Sequence, residues 1–427
     1  MATDEIAIAP LTGPLHATVA LPGSKSITNR ALLLAAMAPG RSVLDAVALS
    51  DDVRYMSSAL EALGFRIETS ESERRIAVNG LGGSIPAGGG DLFVGAAGTA
   101  MRFLVGFLTL GHGRYRVGGN QRMDERPMGA LLDAMQRLGA TVYSERDNRC
   151  PPVIVDVTRG RFEGGETSID ERESSQFVSA LLMPAPLWPR GLRLRVVGDT
   201  ARPFIEMTLQ VMAAWGAAST IEGDTIAVKG GQSYRARRFV VEPDASSASY
   251  FAAAAALCGG SVTIENLRQN SVQGDIGFLA ILERMGARVT WHPGGVEVGG
   301  TGSLAGIDVA MNEMPDMVAT LAAIAPFASS PTRIRKVGFI RLHESDRIRA
   351  LSTELRRMGA KVEEFDDGLG IAPSALKPAA VETYDDHRIA MSFAVAGLKL
   401  AGVRIKDPNC VAKTFPEFFE KLAQLTH

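Results

Sequence analysis

The sequence predicts an α/β protein of two lobes, each built from three copies of one repeated unit. Two observations support this fold class. The chain has 427 residues, which is too long for a single compact hydrophobic core. It also carries two series of helical patterns that recur about every 70 to 77 residues, so that six copies fill the chain. Each copy holds two helices and several short strands.

The first series is an amphipathic helix that ends in glycine and is followed by a strand-like segment, as in SSALEALGFRIE and LLDAMQRLGATVY. Glycine just after a helix is the expected C-terminal cap, because it adopts the left-handed backbone conformation without strain. A last helix, PEFFEKLAQL, stands where the sixth copy is due. The marker glycines are Gly64, Gly139, Gly216, Gly286 and Gly359.

The second series is a polar start followed by a helix rich in alanine and leucine. A helix such as YFAAAAAL is apolar on nearly every side, which predicts that it is buried at the centre of a lobe. Ser, Thr and Asp are good N-caps, and capping alone would explain any single start. The marker residues are Ser26, Thr99, Ser175, Ser247, Asp316 and Asp386.

A sequence repeat often indicates a solenoid, but solenoid units are simpler and run to about 20–50 residues. A unit of about 70 residues with two helices and a small sheet is a subdomain, which favours two lobes of three. If related helices direct their N-termini at one cleft, their dipoles and the nearby cations add up to a strong anion site.

The composition of the chain argues against several classes of function. The 45 basic and 47 acidic residues leave a net charge of −2, which argues against bulk nucleic-acid or membrane-surface binding. Cys150, Cys258 and Cys410 show no motif spacing and are expected to be reduced thiols of a cytoplasmic protein. The N-terminus lacks the pattern of a signal peptide, no apolar run is long enough to span a bilayer, and no histidine spacing predicts a metal site.

The stretch LPGSKSITNR at 21–30 predicts an anion-binding helix start. It resembles a nucleotide P-loop, but that motif places a glycine directly before the lysine, and here Ser24 intervenes. A glycine turn, Lys25 and two hydroxyls ahead of a helix still suit an anion. The stretches GNQRMDERP, RLHESDRIR, TYDDHRIAM and VAKTFPEFF add cations, which together predict a site for small polyanions.

Two carboxylates are candidates for proton transfer. Asp316 follows Met-Pro at a helix start, where by itself it would be an N-cap. Glu344 lies in a mixed-charge segment, where by itself it would be half of an exposed helical ion pair. Among many cations, either carboxylate can accept or donate a proton. Neither a G-x-S-x-G elbow nor a G-x-G-x-x-G turn after a strand is present, so hydrolase and dinucleotide chemistry have no support.

Ten ordered blocks make the sequence similar to the 5-enolpyruvylshikimate-3-phosphate synthase family, the 3-phosphoshikimate 1-carboxyvinyltransferases of the shikimate pathway. The blocks are PGSKSITNRALLLAA, DDVRYMSSALEALG, GAAGTAMR, QRMDERPMGAL, SSQFVSALLM, GGQSYRA, DASSASYFAAAAAL, ESDRIRA, TYDDHRIAM and AKTFPEFF. The resemblance implies an inside-out α/β barrel fold with three βαβαββ units per lobe and the active site in the interdomain cleft. One lobe would comprise 1–23 and 243–427, and the other 24–242.

The resemblance also implies the reaction. The family transfers the enolpyruvyl group of phosphoenolpyruvate to the 5-hydroxyl of shikimate-3-phosphate through a tetrahedral intermediate and releases phosphate. The reaction is a step of aromatic amino acid biosynthesis and uses no cofactor. Glyphosate inhibits it by mimicking phosphoenolpyruvate. The implied partners are these two small molecules, and a monomer is expected.

Site residues follow from the resemblance position by position. The catalytic positions are matched by Asp316, Glu344, Lys25 and His387. Asp316 would accept the hydroxyl proton, and Glu344 or Lys25 would handle the proton at the methylene carbon. The shikimate-3-phosphate positions are matched by Lys25, Ser26, Arg30, Ser174, Ser175, Gln176, Arg202, Asp316 and His343. The phosphoenolpyruvate positions are matched by Lys25, Gly98, Thr99, Arg122, Gln176, Arg347, Arg388 and Lys413.

Several positions depart from the family pattern, and we interpret them as tuning of substrate binding. They are Ala96, Phe103, Ala201, Phe204, Phe339 and His343. Ala96 and Phe103 stand where Asn and Pro are usual, which leads to the hypothesis that they alter sensitivity to glyphosate. Equal inhibition of the wild type and Phe103→Pro would refute it.

Two alternatives are weighed against this function. The sister enzyme that transfers enolpyruvate to UDP-N-acetylglucosamine uses a reactive cysteine on a mobile loop, and the matching loop here, GGNQRMDERP, has none. A two-lobed anion-binding protein without chemistry would keep the cations but would not need Asp316 and Glu344.

Overall fold

The structure is a computed structural model that describes residues 5–170, 174–198 and 202–426. The chain forms two compact units. Unit 1 comprises Met1–Pro22 and Glu242–His427, and unit 2 comprises Gly23–Val241. Each crossing between the units lies one residue before the position expected from the sequence.

The strands are short, and many alternate buried with exposed positions, as expected for sheets with one covered face. In chain order they are β1 (Glu5–Ala7), β2 (Leu15–Val19), β3 (Gly40–Asp45), β4 (Arg66–Ser70), β5 (Arg75–Gly80), β6 (Gly89–Phe93), β7 (Arg114–Gly118), β8 (Thr141–Ser144), β9 (Val153–Asp156), β10 (Gly165–Asp170), β11 (Leu192–Val197), β12 (Ser219–Glu222), β13 (Thr225–Val228), β14 (Arg238–Val240), β15 (Gly260–Glu265), β16 (Arg288–His292), β17 (Gly295–Gly300), β18 (Asp308–Ala310), β19 (Thr332–Arg335), β20 (Lys361–Phe365), β21 (Gly368–Ala372), β22 (Ala380–Val381) and β23 (Arg404–Lys406).

The helices fall into the two predicted series. In chain order they are α1 (Lys25–Met37), α2 (Asp51–Ala62), α3 (Gly98–Phe107), α4 (Gly129–Arg137), α5 (Gln176–Leu182), α6 (Arg202–Ala214), α7 (Ala245–Cys258), α8 (Phe278–Arg284), α9 (Val318–Ile324), α10 (Arg347–Arg357), α11 (His387–Lys399) and α12 (Phe418–Ala423). The marker glycines after α2, α4, α6, α8 and α10 all have φ between 88° and 110°, which confirms the predicted left-handed caps.

Unit 2 holds three sheets with the same topology among its described residues. Their strand orders are β14-β3-β5-β4, β6-β7-β9-β8 and β10-β11-β13-β12. In each sheet the first two strands are parallel and the last two form an antiparallel pair, which is the βαβαββ arrangement. The strand β14 at the end of unit 2 completes the sheet that begins with β3, so the unit closes on itself.

Unit 1 repeats this topology with one difference. Its sheets, within the described residues, have the orders β2-β15-β17-β16, β18-β19-β21-β20 and β22-β23-β1. The strand β2 from the start of the chain pairs in parallel with β15, and β1 pairs antiparallel with β23. The last copy therefore has three strands, one of which comes from the N-terminal segment.

The helices of the second series form the core of each unit. In unit 1, α7 packs against α9 and α11, and all of its residues except Cys258 are buried. In unit 2, α3 packs against α5 so closely that a Cβ at Gly106 would collide with the Ala180 carbonyl oxygen. Small side chains allow this approach, and the predicted burial of the alanine-rich helices is confirmed.

Candidate active site

In unit 2, Lys25, the first of the predicted anion-binding residues, is also the first residue of α1. The Ser24 hydroxyl accepts a hydrogen bond from the Ile27 amide at 3.4 Å, so Ser24 is the N-cap and the marker residue Ser26 lies inside the helix. The Lys25 ammonium lies 3.0 Å from a carboxylate oxygen of Asp52, in the first turn of α2. This contact directs Lys25 across the N-termini of both helices.

Arg30 is a buried cation whose hydrogen-bond partners in the described chain are neutral. Its guanidinium donates to the Thr208 hydroxyl at 2.8 Å, the Ser26 carbonyl at 2.9 Å and the Ser179 hydroxyl at 3.3 Å. It also stacks on the ring of Phe103, 5.0 Å from the centroid. Burial lowers the pKa of Arg30 to about 9, and an anion beside it would offset the cost of burying this charge.

The starts of α3 and α5 lie side by side. The Gln176 side-chain amide is 3.5 Å from the Thr99 hydroxyl, and the Gln176 backbone amide donates to the Ser174 hydroxyl at 3.2 Å.

A Cβ at Gly98 would collide with the guanidinium of Arg102 and lie 2.7 Å from an Arg126 nitrogen. Glycine therefore lets two guanidiniums approach the first turn of α3. Ser175 is buried just before α5, and its hydroxyl makes no capping bond.

Two predicted cations of unit 2 are less buried. Arg122 immediately precedes the 3-10 turn Met123–Glu125, and its guanidinium lies 2.8 Å from the Glu125 carboxylate. The Arg122 side chain is 35% exposed. The structure does not place Arg202 with the other predicted cations of unit 2. Its guanidinium lies 3.3 Å from Glu206, one turn along α6, and more than half of its side chain is exposed. Ala201 lies outside the described residues, whereas the Phe204 carbonyl accepts a hydrogen bond from Arg30 at 3.3 Å.

In unit 1, Asp316 joins two arginines that are far apart in the sequence. One carboxylate oxygen lies 2.8 Å from an Arg347 nitrogen, and the other lies 2.6 Å from an Arg388 nitrogen. Asp316 belongs to a 3-10 turn, Pro315–Met317, and the N-cap of α9 is Met317. The interpretation of Asp316 as a helix cap is therefore wrong, because its side chain lies on the guanidiniums.

Arg347 is the most enclosed of these cations, with 1% of its side chain exposed. Besides Asp316, its guanidinium contacts Asp386 at 2.8 Å and Glu344 at 2.8 Å. Burial alone would lower the pKa of this guanidinium, but the three carboxylates outweigh that effect and raise the pKa well above its usual value. The cluster is a buried charge network in which every member has a partner.

Glu344 is part of this network and is not an exposed ion pair. Its side chain is only 13% exposed, and Lys413 approaches its second oxygen at 3.9 Å. His343 lies on the same turn, with Nδ1 3.2 Å from an Arg347 nitrogen. Its ring packs edge-on against Phe339, so two of the departures from the family pattern contact each other.

Asp386, whose place in the sequence predicts a helix start, is a further functional candidate. It is completely buried, and it caps α11 by accepting from the Arg388 amide at 3.0 Å. The same carboxylate accepts from Arg347 at 2.8 Å and from the Ser345 hydroxyl at 2.9 Å. The capping position was visible in the sequence, but the arginine that it binds was not.

His387 follows Asp386 and is buried, with no hydrogen-bond partner for either ring nitrogen within the described part of the chain. Burial, and after it the cation of Arg388, lower the pKa of His387 well below its usual value. The ring is therefore neutral near pH 7, and it can accept or donate one hydrogen bond but does not supply a positive charge.

A pH dependence of stability follows for His387. Its pKa is lower in the folded protein than the usual value of about 6.5, so the unfolded chain binds more protons below that pH. Stability is therefore lost as the pH falls below about 6.5. Between pH 7.5 and 5.5 the wild type should lose about 1 kcal/mol more free energy of unfolding than His387→Asn. Urea denaturation at both pH values measures this difference, and equal losses in the two proteins would contradict it.

Among the described residues, no group of three His, Cys, Asp or Glu side chains is arranged to hold a metal ion. No helix in that part of the chain has the length and apolar character needed to cross a membrane. Within it, none of the three cysteines forms a disulfide bond. Each unit instead presents cations beside polar helix starts, and unit 1 adds carboxylates in contact with them. This arrangement can bind anions and move protons.

Comparison with known proteins agrees with the family resemblance of the sequence. The model of the family described as EPSP synthase (3-phosphoshikimate 1-carboxyvinyltransferase) matches residues 11–422. The chain is 48% identical over 424 residues to a 3-phosphoshikimate 1-carboxyvinyltransferase of Nostoc sp., with 99% of each chain covered. It is 47% identical over 418 residues to that of Yersinia pseudotuberculosis, with 96% of each covered. The structure of EPSP synthase from Acinetobacter baumannii has a TM-score of 0.82 and 26% identity, and covers 99% of this chain and 98% of that one.

Proposed function

Because the chain belongs to the EPSP synthase family, we propose that it transfers the enolpyruvyl group of phosphoenolpyruvate to the 5-hydroxyl of shikimate-3-phosphate and releases phosphate. The observation that carries the assignment of roles is the Asp316 carboxylate between the guanidiniums of Arg347 and Arg388. A base held among cations suits a reaction that removes a hydroxyl proton next to an anionic substrate.

The chemistry has two stages. In the addition, Asp316 takes the proton of the 5-hydroxyl while that oxygen bonds to C2 of phosphoenolpyruvate, and Glu344 or Lys25 adds a proton to the methylene carbon. In the elimination, the bond from C2 to the phosphate oxygen breaks and phosphate leaves with the electron pair. The group that donated the proton, Glu344 or Lys25, takes a proton back from the methyl carbon, which restores the double bond. The surrounding cations stabilise the negative charge of the substrate during both stages.

The contacts of Asp316 suggest how its carboxylate becomes available. In the structure its two oxygens lie on the guanidiniums of Arg347 and Arg388. These guanidiniums are also the groups that we propose bind phosphoenolpyruvate. The anionic substrate would take over some of their N–H groups, which leaves a carboxylate oxygen of Asp316 for the hydroxyl proton.

In unit 2 we assign shikimate-3-phosphate to the region of Arg30, where a buried cation with neutral partners meets several hydroxyl groups. The residues assigned to it there are Lys25, Ser26, Arg30, Ser174, Ser175 and Gln176. Gly98, Thr99 and Arg122 are assigned to phosphoenolpyruvate, since the first turn of α3 faces two guanidiniums. Cytoplasmic location and a monomeric state stay predictions.

The function is tested by measuring phosphate release from phosphoenolpyruvate with shikimate-3-phosphate, with UDP-N-acetylglucosamine, or with no acceptor. We expect release with shikimate-3-phosphate only. Release with the UDP-sugar alone would indicate the sister enzyme. Binding of shikimate-3-phosphate with no release would indicate a binding protein without chemistry.

The stacking of Arg30 on Phe103 gives a second prediction. Phe103→Leu removes an aromatic face that contributes about 0.5–2 kcal/mol to holding a guanidinium. The Kd for shikimate-3-phosphate should rise about 2- to 30-fold, measured by calorimetric titration. The matched control is Phe107→Leu, a buried ring on the same helix that packs against Phe65. If both variants weaken binding equally, the effect comes from core packing and the prediction is wrong.

A further inference from the structure

The turn just before α11 has an unfavourable backbone conformation. The Asp386 amide donates to the Thr383 carbonyl at 2.9 Å, and the two residues between them have positive φ, 58° at Tyr384 and 53° at Asp385. A turn with two left-handed central residues favours Asn followed by Gly. A bulky residue such as tyrosine is unusual there, so other contacts must hold the turn.

The carboxylate of Glu354 on α10 provides those contacts. Glu354 is completely buried. One oxygen accepts from the Tyr384 hydroxyl at 2.8 Å, and the other accepts from the Glu382 amide at 3.1 Å. Arg357 donates to both oxygens, at 3.0 and 2.8 Å. Burial and this hydrogen bond raise the pKa of Tyr384 to about 12, so its hydroxyl stays a donor. The buried carboxylate of Glu354 thus accepts hydrogen bonds from the residues on both sides of Thr383.

The same turn determines where Asp386 lies. Asp386 is the next residue, and its carboxylate accepts from the Arg388 amide and from the Arg347 side chain. Arg347 begins α10, and Glu354 lies seven residues later on the same face of that helix. The helix therefore contacts this segment twice, through Glu354 at Glu382 and Tyr384 and through Arg347 at Asp386.

We propose that Glu354 and Tyr384 are positioning residues, whose hydrogen bond holds the 383–386 turn so that Asp386 fixes Arg347 and Arg388. This inference rests on the proposed function for its effect on catalysis. They act through Asp386, which binds the guanidinium of Arg347 and the backbone amide of Arg388. Through it they position the two arginines that we assign to phosphoenolpyruvate.

Two substitutions of one residue separate turn geometry from side-chain packing. Tyr384→Phe removes the hydroxyl and keeps the unfavourable backbone preference. Tyr384→Asn removes the hydroxyl and the ring, but asparagine tolerates the left-handed conformation. Loss of one hydrogen bond should raise the KM for phosphoenolpyruvate about 2- to 10-fold in Tyr384→Phe, whereas Tyr384→Asn should stay closer to the wild type.

The matched control is Tyr143→Phe, since Tyr143 is also partly exposed and its hydroxyl accepts from Arg114 at 3.0 Å on a sheet of unit 2. It should leave the KM unchanged. A lower melting temperature of Tyr384→Phe with an unchanged KM would show a merely structural role and overturn the proposal. A larger effect of Tyr384→Asn than of Tyr384→Phe would also overturn it, because the ring and not the turn would then matter.

Hydrogen–deuterium exchange over residues 382–390 tests the turn without relying on activity. The amides of Asp386 and Arg388 should exchange faster in Tyr384→Phe than in the wild type, in Tyr384→Asn or in the control. Unchanged exchange in Tyr384→Phe would overturn the inference whatever the kinetics. If the wild type lacks the transferase activity while exchange responds as expected, the proposed function fails and the positioning of the turn by Tyr384 is supported.

Discussion

Asp316→Asn is expected to lower the kcat for phosphate release from phosphoenolpyruvate and shikimate-3-phosphate by about 100-fold or more. General-base catalysis contributes about 10²- to 10⁴-fold, and an amide does not accept the hydroxyl proton. The variant has nearly the same shape as the wild type, and its carbonyl oxygen can still accept from one of the two guanidiniums. A continuous phosphate assay at saturating substrates measures the loss.

The control for this prediction is Asp308→Asn. Asp308 also pairs with an arginine, since it lies 2.6 Å from Arg335, but 61% of its side chain is exposed and it lies on β18. Its kcat should match the wild type. Calorimetric titration of shikimate-3-phosphate shows whether Asp316→Asn still binds the acceptor. A kcat within about threefold of the wild type would exclude Asp316 as the base.

Arg347→Met is expected to lower the free energy of unfolding by about 3–5 kcal/mol and to abolish activity. The substitution leaves three carboxylates without their shared cation, and one of them, Asp386, is completely buried. Removing one partner of a buried ion pair costs about this much, because the remaining charge stays out of water. Urea denaturation measures the loss of stability.

Arg341→Met is the matched control for Arg347. Arg341 also bonds to two carboxylates, Asp346 and Glu364, in the same part of the chain, but a quarter of its side chain is exposed. Its removal should cost about 1 kcal/mol or less, as for other solvent-accessible ion pairs. If the two variants lose similar stability, burial of the network does not determine its energy and the prediction is wrong.

Much of the fold could be predicted from local patterns. Glycines such as Gly64 and Gly359 marked helix ends because a left-handed cap follows from the residue type itself. Alanine-rich stretches such as that of α7 marked the core, since a helix that is apolar all round has no solvent face. The pairing of β14 with β3 and of β2 with β15 could not be predicted from such patterns, because the paired residues are 195 and 245 positions apart in the sequence.

The candidate site also has features that could be predicted from the sequence and others that could not. Its cations and hydroxyls were visible as motifs, and the resemblance to a family supplied their roles, which stay proposals for this chain. Neither source indicated Glu354 or Tyr384, because a glutamate within an amphipathic helix looks like a solvent-exposed residue. Only the folded structure places that carboxylate under the turn before α11.

The sequence by itself determined the six repeats, the helices with their glycine caps, and the set of charged residues available for an anion site. Tertiary structure decided which of those charges meet. Asp316, Glu344 and Asp386 belong to three separate segments, and each taken alone has an ordinary explanation as a cap or a surface ion pair. They become one network because all three reach the buried guanidinium of Arg347. The energy of a charge depends on its solvent exposure and on its neighbours in space, and both are set by distant parts of the chain.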